Sequence, residues 1–194
     1  MEPSFDITGN NVMKVVHFPL EVNYVNVFLG IDEESKEAFL VDCGAFDDRI
    51  RDYITDHGLD LQLLLITHSH YDHVNGVVAF KKVFEVPVYS FTSHYDHQVS
   101  EGEQIPFGQD TVHVLETPGH IADAVSYHFD GHVFVGDAIF SGAVGGTSDR
   151  EHFEEQISHV RNKILSLPEE TVIYPGHGAP SLVGVERLFN PFFR

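Results

Sequence analysis

Apolar runs alternate with short polar breaks along this chain, and their spacing sorts them into strands and helices. Val12 to Phe18, Tyr24 to Ile31 and Ala38 to Val41 are rich in β-branched and aromatic residues, and the cluster Asp32-Glu33-Glu34-Ser35-Lys36 separates the last two. That pattern predicts a β-meander. Ile50, Tyr53 and Ile54 then predict an amphipathic helix over Asp47 to His57, which Gly58 is placed to end. Leu61 to Ile66 is apolar except at Gln62, the pattern of a strand buried on both faces. Val74, Val77, Val78, Phe80, Val83 and Phe84 follow at helical spacing, and Val86 to Tyr89 is a short strand, which completes a strand–helix–strand unit. Further strands are expected over Val112 to Glu116, Val133 to Asp137 and Thr171 to Tyr174. A helix is expected over Glu151 to Leu165, closed by Pro168. Between these elements, Ile139 to Arg150 is dominated by small residues and is a candidate for a mobile lid. The apolar carboxyl-terminal segment Glu186 to Arg194 is expected to pack on the body of the fold.

Composition narrows the class. With 194 residues, 42% of them hydrophobic, the chain has material for one domain over residues 1–194 with a sizeable core. No apolar run reaches the roughly 20 residues that cross a bilayer. Met1 to Asp6 lacks the basic and apolar regions of a signal peptide, and the single cysteine, Cys43, fits a reducing compartment, so a cytoplasmic protein is expected. Cys43 itself reads as a small buried apolar residue. The formal net charge of -19 argues against nucleic acid and anionic membranes as partners and leaves a small-molecule substrate. Oligomeric state is not encoded legibly.

The chemistry gathers in Thr67-His68-Ser69-His70-Tyr71-Asp72-His73, directly behind the buried run. Three imidazoles and a carboxylate within six residues exceed what one ion usually takes from so short a loop. Two more histidines, His120 and His177, each follow an apolar strand and a Pro-Gly turn that can re-aim the next side chain. Asp137 ends the strand between them. Asp42, also at a strand end, either orients a ligand histidine or caps the next helix. Ser93-His94-Tyr95-Asp96-His97 nearly repeats residues 69 to 73, but Thr92 stands where His68 would be, so a solvated polar segment is expected there rather than a second metal loop.

Taken together, Asn23-Tyr24, Asp42-Cys43-Gly44, the His-x-His-x-Asp-His loop, Thr117-Pro118-Gly119-His120, Gly136-Asp137 and Pro175-Gly176-His177-Gly178 resemble the metallo-β-lactamase-fold hydrolases, specifically their glyoxalase II-like branch. Glu186-Arg187 and Asn190-Pro191-Phe192 are similar to the ending of short bacterial members. The resemblance implies an α/β protein, an αβ/βα sandwich of two mixed sheets with outer helices and a dinuclear site along one edge. One ion would be held by His68, His70 and His120 and the other by Asp72, His73 and His177, with Asp137 bridging. Imidazole and carboxylate suit two divalent ions, zinc first, with iron and manganese open.

The chemistry this implies is attack of a metal-bridging hydroxide on a carbonyl, oriented by Asp72. Thioesters suit it best, because a thiolate leaves without a proton donor. The helical extension and the basic and aromatic loop residues of glyoxalase II enzymes are not matched here, where Gly145-Gly146-Thr147-Ser148 stands instead. A lactonase on the same site, a mononuclear-iron persulfide dioxygenase and a non-enzymatic binding module are the alternatives.

Overall fold

The computed structural model describes residues 13–194, so the readings placed on residues 1–6 and on Val12 lie outside the described residues. Two six-stranded mixed sheets form the centre. In the first, β1 (Met13–Pro19), β2 (Asn26–Asp32) and β3 (Glu37–Val41) make the antiparallel meander, and β4 (Asp60–Leu65), β5 (Val88–Ser90) and β6 (His97–Gln98) extend it in parallel. Asp32 shapes the β2–β3 turn by accepting the Glu34 and Ser35 amides at 2.9 and 3.3 Å.

The second sheet runs β7 (Gln104–Phe107), β8 (Asp110–Glu116), β9 (Val125–Phe129), β10 (His132–Gly136), β11 (Val172–Pro175) and β12 (Ser181–Leu182). Only the β10–β11 pair is parallel.

Side-chain alternation explains the layers. On β3, Ala38 and Leu40 face the helices while Phe39 and Val41 face the other sheet. Leu64 and Leu63 divide β4 in the same way, which is why Leu63, Leu64 and Leu65 are apolar in succession. Phe28, Phe39, Tyr127, Phe134 and Tyr174 fill the space between the sheets. Outside the first sheet lie α1 (Asp48–Asp56), α2 (Tyr71–Val74) and α3 (Val77–Phe84), anchored by Ile50, Ile54, Val77 and Phe80. Outside the second lie α4 (Arg150–His159), which runs on into a π-helical turn over Val160–Ile164, and α5 (Val183–Phe189). This is the αβ/βα sandwich expected from the sequence.

Several details differ from the sequence-based expectation. The helical spacing from Val74 to Phe84 is split in two, because the Gly76 amide donates to Cys43 O at 2.6 Å instead of continuing the α2 ladder. Strands β7 and β9 and the two-residue strands β6 and β12 were not anticipated, since Pro106 interrupts β7, His128 and Ser126 dilute β9, and two residues are too short to show a pattern.

The carboxyl-terminal segment packs as expected through Phe193 and Phe192, and beside them through buried polar residues. Glu186 and Asn190 are buried, whereas Leu188 and Phe189 are more than 60% exposed. The Glu186 carboxylate accepts from Ser181 Oγ at 2.5 Å, from Asn190 Nδ2 at 2.8 Å and from the Gly142 amide at 2.9 Å. Three donors around a buried carboxylate outweigh the exposure of a few apolar side chains, because stranding them inside the fold costs more than wetting a methyl group. Glu186→Ala should therefore destabilise the fold by about 2–4 kcal/mol, read as a lowered denaturant midpoint at unchanged m-value.

Candidate metal centre

The centre is assembled where strands end. Beyond β4, Thr67 is buried and its amide and hydroxyl both donate to Asp42, at 2.9 Å from the amide to Oδ1 and 2.9 Å from the hydroxyl to Oδ2. Asp42 ends β3 in the left-handed region at φ 58, a conformation that short acidic side chains tolerate better than most. Beyond Thr67 the chain turns into α2, and the Cys43 amide holds the His73 carbonyl at 2.7 Å. Asp42 thus orients a histidine and does not cap a helix: His73 Nδ1 donates to Asp42 Oδ2 at 2.7 Å, while Asp47 caps α1 through the Arg49 amide. Cys43 is fully buried, and burial pushes its thiol well above its usual pKa, next to the Asp42 charge.

All seven residues singled out in the sequence converge. His70 Nδ1 lies 3.0 Å from His68 Nε2 and 3.0 Å from His120 Nε2. His177 Nε2 lies 3.4 Å from Asp72 Oδ2 and 3.6 Å from Asp137 Oδ2. Asp137 faces both groups, with Oδ2 3.5 Å from His120 Nε2 and Oδ1 3.6 Å from His73 Nε2. Donor atoms fall within 4.8 Å of one another in three overlapping sets: His68, His70 and His120; His68, His73 and Asp137; Asp72, His73 and His177.

Tautomers follow from the outward partners, since a carbonyl or carboxylate can only accept. His73 Nδ1–H points to Asp42, His120 Nδ1–H to Gly146 O at 2.5 Å and His177 Nδ1–H to Tyr24 O at 3.3 Å. His68 Nδ1 meets Thr67 Oγ1 at 3.1 Å, and that hydroxyl spends its own proton on Asp42, so His68 donates as well. Four Nε2 lone pairs are thereby turned inward.

Burial and then the neighbouring imidazoles push His68 far below the usual histidine pKa, and His70 is lowered for the same reasons. For His73 burial works the other way from the outcome: the Asp42 charge and hydrogen bond win and raise it. Burial raises Asp137 against the pull of His73, His177 and His120. Asp72 is lowered, because the Asn23 hydrogen bond and the His73 and His177 charges overcome its burial.

Whether these residues suit a metal can be judged from the atoms left without partners. His73 Nε2 and Asp137 Oδ1 are both buried and make no hydrogen bond. A nitrogen lone pair facing a carboxylate oxygen at 3.6 Å has no proton to share at bonding distance, and a cation satisfies both. Gly176 keeps that space open, because a Cβ there would stand 2.3 Å from Asp137 Oδ1 and 2.6 Å from His73 Cε1. The donor set fits a metal.

The two Pro-Gly turns prove to differ. Gly119 has φ 134 and backs onto the α4 backbone at Gln156, so it supplies the conformational freedom expected of it, whereas Gly176 supplies room. The near repeat at residues 93 to 97 joins no metal-capable group among the described residues: Asp96 pairs with Lys81 and takes the Val88 amide, and His97 stacks on Tyr89.

The lid candidate is tied to its surroundings by hydrogen bonds. Gln156 Nε2 donates to Ala138 O at 2.8 Å and Gly145 O at 3.2 Å, Asn190 Nδ2 to Ala143 O at 3.1 Å, and Gly146 O holds His120. Small residues here let the chain lie close against its supports, which the composition alone does not distinguish from mobility. Thr67 and Gln156 were not anticipated as supports of the site. The signal that Gln156 left in the sequence is its position on the apolar side of the helix, three residues after Phe153 and four before Val160.

Among the described residues no helix is long and apolar enough to cross a membrane. A profile of the metallo-β-lactamase superfamily matches residues 21–107. A hydroxyacylglutathione hydrolase of Vibrio cholerae is 34% identical over 156 residues, which are 76% of this chain and 59% of that protein, so this chain spans under two thirds of that relative's length. The probable polyketide biosynthesis zinc-dependent hydrolase BaeB of Bacillus velezensis is 30% identical over 156 residues, 75% of this chain and 69% of BaeB. Among solved structures, ETHE1 from Myxococcus xanthus superposes with a TM-score of 0.85 at 27% identity, covering 92% of this chain and 84% of that one. The chain belongs to the metallo-β-lactamase superfamily, whose members bind metal ions, and it is similar there to the hydroxyacylglutathione hydrolases.

Proposed function

We propose that this chain is a dinuclear metal-dependent hydrolase of small activated esters, thioesters above all. The observation that carries the reading is Asp137, whose two oxygens face His73 on one side and His120 and His177 on the other. In this reading His68, His70 and His120 hold one ion, Asp72, His73 and His177 hold the second, and Asp137 is shared. Zinc suits the donors, and BaeB is named zinc-dependent; iron and manganese accept the same donor types. When bound, the ions supply Lewis acidity, which acidifies water and draws electron density from a carbonyl.

The chain's own residues do the rest. Asp72, held below its usual pKa, stays ionised at neutral pH and orients a water by accepting its hydrogen bond. His68 and His70 are held toward the neutral form, so neither offers a leaving group a proton. A thiolate leaves without one and an amide nitrogen does not, which favours thioesters. Tyr24, whose carbonyl accepts from His177, and Tyr71, between His70 and Asp72 in sequence, are exposed, and Phe140 packs edge-on to His177. These aromatics suit an uncharged portion of a substrate. Arg150, the cation at the end of the small-residue loop, is paired with Glu154 on the surface and offers the carboxylates of glutathione no fixed partner.

Elemental analysis of purified protein should find about two transition-metal ions per chain. Asp137→Ala should lose both together, while His177→Ala should weaken mainly one. A single iron with oxygen consumed on a persulfide would overturn the hydrolase in favour of a dioxygenase.

A His94→Ala, His97→Ala double variant should keep full metal content and activity, and loss of one equivalent would show that residues 93 to 97 bind metal after all.

S-lactoylglutathione should be turned over with weak saturation, and a truncated thioester nearly as well, since absent uniform binding raises KM and leaves kcat largely alone. Comparing the two substrates decides it. Tight saturation by the glutathione thioester alone would show contacts beyond those described, and brisk lactone opening without thioester turnover would make the protein a lactonase.

A further inference from the structure

Asn23 and Tyr24 are consecutive non-glycine residues in the left-handed region, with φ 49 and 56. Such a conformation is disfavoured for a residue with a Cβ and persists where its surroundings demand it. Here both residues are tied to the centre. Asn23 Nδ2 donates to Asp72 Oδ2 at 2.5 Å, and the Tyr24 carbonyl accepts from His177 Nδ1 at 3.3 Å. The next two residues fasten the same segment to the far sheet. Val25 bridges His177, the Asn26 amide donates to Gly176 O at 2.7 Å, and Asn26 Nδ2 donates to Pro175 O and Gly178 O at 2.9 and 2.8 Å. Asp72 follows a strand of the first sheet and His177 follows a strand of the second. One strained turn therefore touches two donors that arrive from opposite halves of the sandwich.

We infer that Asn23 is a positioning residue for the ion held by Asp72, His73 and His177: its amide fixes the Asp72 carboxylate while the Tyr24 carbonyl beside it fixes the His177 tautomer. The inference rests on the dinuclear reading and goes beyond it in assigning the affinity of one position to a residue that ligates nothing. Partners of this kind are worth about 10–100-fold in metal affinity.

Asn23→Gly separates positioning from turn formation. Glycine adopts a positive φ at no steric cost, so it serves a purely structural turn as well as asparagine does, but it has no amide. In Zn2+ titrations of the metal-free chain against a chromophoric chelator, Asn23→Gly should bind one equivalent as tightly as the wild type and the other about 10–100-fold more weakly. The metal-free variant should melt no lower than the metal-free wild type. Tyr24→Gly keeps the carbonyl and should retain both equivalents at wild-type affinity. Two wild-type affinities in Asn23→Gly would overturn the inference and leave the dinuclear reading standing. A wild-type chain that takes one equivalent would overturn both.

Discussion

Five imidazoles can present lone pairs to a common space only if their protons are held on the far side, and that constraint shapes this fold. Asp42 carries the largest share of it. Buried at the end of β3, it takes the His73 proton directly and the Thr67 hydroxyl proton, and through that hydroxyl it also sets His68. One carboxylate so fixes two rings on the loop beyond the neighbouring strand, and β3 and β4 must lie parallel and adjacent to bring it there. Its left-handed backbone is the local strain accepted for that placement.

The same constraint leaves the metal-free centre uncomfortable. His73 Nε2 and Asp137 Oδ1 are buried without partners, and burial and crowding hold His68 and His70 toward their neutral forms. A ligand that binds only the folded chain stabilises it by about 2.7 kcal/mol at 100 times its dissociation constant, so relief of this frustration links metal affinity to fold stability. The bulk charge of -19 raises the local concentration of cations, but it is the inward-facing donor set that selects them.

Much of this was legible in the sequence for a physical reason. Strands buried on both faces must be written in apolar residues, so Leu61 to Ile66 announced itself, and polar residues at its end stand out against it. His68, His70, Asp72, His73, His120, Asp137 and His177 were visible because each follows such a strand. What the sequence concealed depends on tertiary partners. Asp42 had two good local uses, and only the distances to His73 and Thr67 choose between them. The small-residue loop resembled a lid because glycine serves close packing and mobility alike. In the carboxyl-terminal segment hydrophobicity pointed to Leu188 and Phe189, yet three donors around Glu186 decide which face turns inward.

The supports of the two donor groups are separate. His120 depends on Gly146 O, and so on the segment that Gln156 and Asn190 hold against α4 and α5. Asp72 and His177 depend on the Asn23–Tyr24 turn, whose continuation is fastened to Pro175, Gly176 and Gly178. The groups meet at His68 and His73, each of which counts in two of the three sets, and at Asp137, which faces both. Displacing one support therefore leaves the other group's outward hydrogen bonds intact and reaches it only through those three shared residues. His68 is locked from behind by Thr67 and His73 by Asp42, whereas Asp137 Oδ1 has no partner of its own. Asp137 is accordingly the residue through which a change in one group is felt by the other.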